Sequence, residues 1–273
     1  MRPYLTLALL ALCACGAAPP PVEETVADVY LEPSDYLLRW AGEWNSDVSR
    51  PDGDSEGLKE SIAGLRGTER HEMSLRYVAA LIYEIDADEL EASSRELRLA
   101  QREVRTALRR LRRVRGELAT TRDFLELVAA WRGGLPRAVS LAERFTDRHA
   151  DSTALHGLAW MILGEVYFEG GRYEDAARSY RYLLGDLEHP LYAFASWRTA
   201  AVLQELDRED EASELLSQVV RLACPANTAE PTAEVAAAAA SEAGIPLVGE
   251  RYAVCEGDEQ EQNLDDELPP GYR

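Results

Sequence analysis

Lysine is almost absent from this chain: Lys59 stands alone against 28 arginines, a usage that fits the codon bias of a GC-rich genome more than a functional choice. Cations of both kinds number 29 against 49 carboxylates, which leaves a net charge of −20 and a pI near 4.6. That deficit argues against a nucleic-acid partner, because phosphate binding rests on clustered cations. It also disfavours adhesion of the folded domain to an anionic membrane. Histidine is scarce too, and His71, His149, His156 and His189 show neither H-E-x-x-H nor any other metal-ligand spacing. No G-x-S-x-G elbow and no phosphate-cradling glycine loop is present; Gly133-Gly134 and Gly170-Gly171 fall where turns between helices are expected. Carboxylates are so common that no pair stands out as an acid/base couple. These absences predict a protein that is not an enzyme and needs no cofactor or metal.

Cysteine is equally sparing. Of four, Cys13 and Cys15 sit in or beside the first hydrophobic segment, and Cys224 and Cys255 are alone in the rest. In an oxidising compartment an isolated pair of this kind predicts a disulfide. Closing a loop of about 30 residues contributes roughly 3–4 kcal/mol in the chain-entropy account. No C-x-x-C or zinc spacing competes with that reading.

What is present begins with an export signal. Residues 1–14 carry Arg2, the apolar run Leu5 to Leu12 and small residues before cysteine, too short for a permanent span. Leu12-Cys13-Ala14-Cys15-Gly16 resembles the lipobox of bacterial lipoproteins, which implies that Cys15 is the lipidated residue. An ordinary secretory signal cut elsewhere is the alternative. Residues 15–30, with Pro19-Pro20-Pro21, read as a flexible tether. Gly16 is not the aspartate that the family associates with inner-membrane retention, so the resemblance implies an outer-membrane anchor facing the periplasm. The membrane is met through that lipid only.

The rest, 46% hydrophobic over the whole chain, reads as helical. Within residues 31–118, Tyr36, Leu37, Trp40, Ala41 and Trp44 make the apolar face of a first helix, a short helix follows Gly57, and Leu75, Val78, Ala79, Ile82 and Ile85 mark a third. A long amphipathic helix is expected from Asp86 to Leu118, with Leu90, Leu97, Val104, Leu111 and Leu118 recurring every seven residues. Small companions at Ser93, Ala100 and Ala107 make the stripe narrow for a two-stranded coiled coil, so packing within the fold is favoured over an oligomer through 86–118. Nine arginines lie between Arg95 and Arg115. They fit either a solvated face that offsets acidic neighbours or a grip on an acidic partner or lipid headgroups.

Residues 119–222 hold an internal repeat. Ala138, Ala176 and Ala212 head its second helices, 38 and 36 residues apart. The best unit, 157–190, places Trp160, Leu163, Gly164, Tyr167, Ala176 and Tyr180 at the spacing W-x2-L-G-x2-Y…A-x3-aromatic, and so resembles the tetratricopeptide (TPR) repeat. The unit at 119–150 keeps Leu125, Ala129, Gly133, Ala138 and Phe145 but has Glu126 in the small-residue place. The unit at 193–222 keeps Ala200, Ala212 and Leu216, with Trp197 one place late and Asp207 where glycine is usual. Residues 223–255 hold an alanine-rich capping helix stopped by Gly244 and the disulfide segment. Residues 256–273 are acidic, nearly without apolar side chains, and read as disordered.

The fold class expected is therefore all-α: a TPR-like helix-turn-helix solenoid behind an N-terminal helical region containing the long helix. In the TPR family the first helix of each unit lines a concave groove, and the resemblance carries this onto Leu158, Met161, Glu165, Phe168 and Glu169, then Phe194, Trp197, Ala201, Gln204 and Glu205. Such a groove suits a protein or peptide with apolar anchors and a basic flank. Lipoproteins of this architecture act as scaffolds or adaptors in outer-membrane, pilus or secretion-system assembly. Alternatives are an envelope enzyme or a regulator of peptidoglycan enzymes, or a self-associating structural protein.

Overall fold

The computed structural model describes residues 31–44, 48, 51, 54–86, 94–134, 136–150, 153–225, 228–248 and 251–255. Among them the chain is all-α. The helices are α1 (Pro33–Trp44), α2 (Ser55–Ile62), α3 (Gly67–Asp86), α4 (Ser94–Arg110), α5 (Glu117–Arg132), α6 (Ala138–Arg148), α7 (Thr153–Glu169), α8 (Tyr173–Tyr180), α9 (Tyr192–Glu205), α10 (Glu209–Arg221) and α11 (Glu230–Ala243). A two-stranded antiparallel hairpin, β1 (Leu247–Val248) with β2 (Arg251–Tyr252), follows them. No described helix is long and apolar enough to cross a membrane. The leader 1–14, Cys15, the tether to residue 30 and the acidic segment 256–273 lie outside the described residues, as do Leu90 and Ser93 of the seven-residue stripe.

From α5 onward each helix packs on the next, and the turns within successive pairs are built alike. Gly134 (φ 58°), Gly171 (φ 69°) and Asp207 (φ 56°) each hold the left-handed conformation just past α5, α7 and α9. Glycine adopts that conformation freely and aspartate tolerates it, which accounts for the departure at the third turn. After α7 the Arg172 amide donates to Tyr167 O at 2.8 Å, and after α9 the Arg208 amide donates to Leu203 O at 2.9 Å, so both ends satisfy the same orphan carbonyl.

Packing within the middle pair explains its sequence. A Cβ built on Gly164 would lie 2.2 Å from Cε1 of Tyr180, so α7 and α8 approach too closely for any side chain there. Leu163, Tyr167, Ala176 and Tyr180 are all buried around that contact, whereas Trp160 is half-buried and stacks on Tyr182 at 5.1 Å. Gly164→Ala is expected to cost about 1–3 kcal/mol through overpacking, partly offset by the roughly 1 kcal/mol helix preference of alanine. A urea titration checks this. An unchanged midpoint would mean that Tyr180 swings aside at no cost.

The long helix is corrected. Helix α4 stops at Arg110 instead of running to Leu118. The chain tightens at Leu111 and Val114, whose amides donate to Leu108 O and Leu111 O at 3.0 and 2.9 Å, and Gly116 (φ 68°) reverses it into α5. Val104, Ala107, Leu108, Leu111 and Val114 are buried there, with α3 and α5 as the neighbours of α4, so this part of the stripe is consumed within the fold.

At the other end, α11 starts with Pro231 in its first turn and stops at Gly244 (φ 63°), where the Ile245 amide donates to Ala240 O at 2.9 Å. Its alanines bury closely against α10 and α9. Cys224 and Cys255 are bonded, with Cα atoms 5.5 Å apart, and hold the segment after the hairpin against α10.

Helix α1 lies across α5, α7, α9 and α11. It packs on α7, and Tyr36 stacks on Phe194 of α9 with ring centroids 4.7 Å apart and planes 4° from parallel. The Tyr36 hydroxyl donates to Pro231 O at 3.3 Å, Arg39 pairs with Glu234 of α11, and Asp35 accepts from Arg132 of α5 at 2.9 Å. One amphipathic helix thus touches the first helix of every pair and α11. Its apolar residues Tyr36, Leu37, Leu38 and Ala41 are buried by doing so.

Candidate groove site

A cleft of about 500 Å³ remains beside the start of α1, between Leu31 and Pro33 on one side and α5, α7, α9 and α11 on the other. Two indoles face two carboxylates across it. Trp131 Nε1 donates to Glu169 Oε1 at 3.1 Å, and Trp197 Nε1 donates to Glu242 Oε1 at 2.8 Å. Burial pushes both carboxyls above the ordinary glutamate range, against the opposing pull of the indole hydrogen bonds.

The floor is an ion pair. Arg198 reaches Glu165 with Nε at 2.8 Å and a terminal nitrogen at 2.9 Å, a bidentate grip, and the Tyr180 hydroxyl donates to the same carboxylate at 2.7 Å. The guanidinium lies 4.6 Å from the Phe168 ring centroid and 5.2 Å from that of Trp197. Burial lowers the Arg198 pKa, but Glu165 and Tyr180 outweigh it and the net shift is upward; burial drives the Tyr180 phenol well above its usual value. This arginine is charged at every accessible pH.

The residues expected from sequence divide into three groups. Phe168, Glu169 and Trp197 line the cleft, and Glu165 forms its floor. Leu158, Met161 and Phe194 are 0% exposed and serve the core between helices. Gln204, Glu205 and Ala201 stand farther along α9, outside the cleft lining, and Glu205 holds the Tyr173 hydroxyl, raising its pKa. Glu165 is 2% exposed and committed to Arg198, so it offers no free charge to a partner.

Trp131, Arg198 and Glu242 also belong to the site without having been expected. For Trp131 a signal existed. It stands 37 residues before Phe168, the same offset that separates Gly134 from Gly171, so extending the groove positions to the first unit finds it. Glu242 comes from α11 and Arg198 from a position beside the expected Trp197, and neither carries a pattern of its own. Comparison with protein-family models finds no match, and neither do comparisons with curated proteins and with solved structures.

Proposed function

We propose that this chain is a non-enzymatic scaffold of the bacterial cell envelope, exported and anchored by a lipid on Cys15 in the outer membrane facing the periplasm. In this reading α5 to α10 are three TPR-like units, α11 is their cap, and a protein or peptide partner docks in the cleft between Trp131 and Trp197. The recurring left-handed turns at Gly134, Gly171 and Asp207 support the repeat reading, and the Cys224–Cys255 bond suits an oxidising compartment. The observation that carries the docking site is the pair of tryptophan–carboxylate couples flanking the Arg198 stack. Aromatic surface supplies an apolar anchor at low conformational cost. Glu169 and Glu242, whose pKa values burial raises, gain from a ligand cation, which favours their charged form.

Selection of random peptides on the immobilised full chain tests this. Enriched sequences are expected to place a bulky apolar residue beside lysine or arginine, and E169Q/E242Q is expected to weaken their binding about tenfold, the loss of one good charge-assisted contact or more. Binding should also fall as pH drops, beginning above the range of ordinary glutamates because both pKa values are raised. No enrichment, or equal binding by the double variant, would move the partner to another surface.

A further inference from the structure

A second cleft, of about 650 Å³, opens between α4, α5 and α6, and its walls are arginine. Arg102, Arg105, Arg109 and Arg112 come from α4 and the turn after it, while Arg122, Arg137, Arg144 and Arg148 face them from α5 and α6. Only two carboxylates share the lining, and both are engaged: Asp123 with Arg122 and His149, Glu126 with Arg137. Arg102, Arg105, Arg109, Arg112, Arg144 and Arg148 form no ion pair among the described residues. A local formal charge of +6 has been gathered in a chain whose net charge is −20.

We infer that this cleft binds a compact ligand bearing several phosphate groups. All six of these guanidiniums are exposed, so water and salt screen part of their mutual repulsion, and a multiply charged anion held between them relieves more of it. Three features select the ligand class. Arg102, Arg105 and Arg109 recur at helical spacing along about 10 Å of α4 and are opposed across the cleft, so a ligand is gripped from two sides. Every cation is arginine, whose planar fork matches phosphate oxygens bidentately. The volume is in the range of a small-molecule site. A free polyphosphorylated metabolite and the headgroup of a lipid with more than one phosphate share this chemistry. The inference does not rest on the groove reading.

Titration calorimetry of the full chain with inorganic tripolyphosphate at low salt, and flotation with neutral vesicles with and without a bisphosphorylated lipid, separate the sources. Tripolyphosphate is expected to bind, to weaken steeply with salt, and to bind R105E/R109E at least tenfold more weakly, while R181E/R221E, at exposed arginines outside the cleft, leaves binding unchanged. Circular dichroism spectra matching the parent establish that the variants fold. Binding of tripolyphosphate without flotation assigns a soluble ligand, and flotation that depends on Arg105 and Arg109 assigns a headgroup; both uphold the site. Absence of both, or indifference of both to R105E/R109E, overturns it. So does binding of a synthetic peptide of residues 256–273 where tripolyphosphate fails, which would hand the cleft to an acidic polypeptide.

Discussion

Replacing Arg198 by alanine is expected to cost about 3–5 kcal/mol of folding stability, the range measured when one partner of a buried ion pair is removed. The side chain of Glu165 is 3% exposed and receives both nitrogens of Arg198. With the guanidinium gone, only the Tyr180 hydroxyl remains to solvate that buried charge. Replacing both residues by methionine is expected to restore most of the stability, since hydrophobic substitutes of similar volume avoid the desolvation that the charges suffer. Urea unfolding of the two variants at pH 7 checks this. A loss under 1 kcal/mol for R198A would show that water reaches Glu165.

Tyr36→Ala should be comparably severe, about 3–5 kcal/mol, as for other buried aromatics truncated to alanine. Tyr36 is 1% exposed, stacked on Phe194, and its hydroxyl is held by Pro231 O. Tyr36→Phe, which keeps the stack and loses that one bond, should cost only about 0.5–1.5 kcal/mol. Because Tyr36 ties α1 to α9 and α11 together, the alanine variant is also expected to free α1 from these helices. Trypsin then cuts after Arg39 at least tenfold faster than in the parent, at a rate that exceeds global unfolding. Equal protection of Arg39 in both chains would show that α1 is held by its other contacts.

The sequence carried the helices better than their meeting points. Local rules reached α11 because an alanine run, a proline in the first turn and Gly244 act within one element, and they reached the turn at Gly171 for the same reason. The alanine at 176 and the glycine at 164 signalled a close helix pair, and the Tyr180 contact accounts for the glycine. Helix α1 was legible as amphipathic through Tyr36, Leu37 and Ala41, but nothing in its period says that Phe194 or Glu234 receives it. Partners 195 residues away are a tertiary matter. The expected groove was thinned for that reason: Phe194 is spent on Tyr36, and Glu165 on Arg198. Helix α4 was read too long since neither proline nor glycine interrupts 94–115, and the tightening at Leu111 follows from the burial of Val114 instead. The arginines of the second cleft were visible along α4, whereas those facing them from α5 and α6 are scattered in sequence and converge only in space.

The reach of α1 also bears on how the molecule assembles. A row of helix pairs coupled only to its neighbours can nucleate anywhere and fray from either end. Here a helix near one end is hydrogen-bonded and ion-paired to α11 near the other, across 195 residues. Such a closure adds sequence-distant contacts, which slow folding because the loop entropy is lost before the contact rewards it. It also removes the free end from which a linear array would peel. The seat of α1 is therefore a surface to which α5, α7, α9 and α11 all contribute.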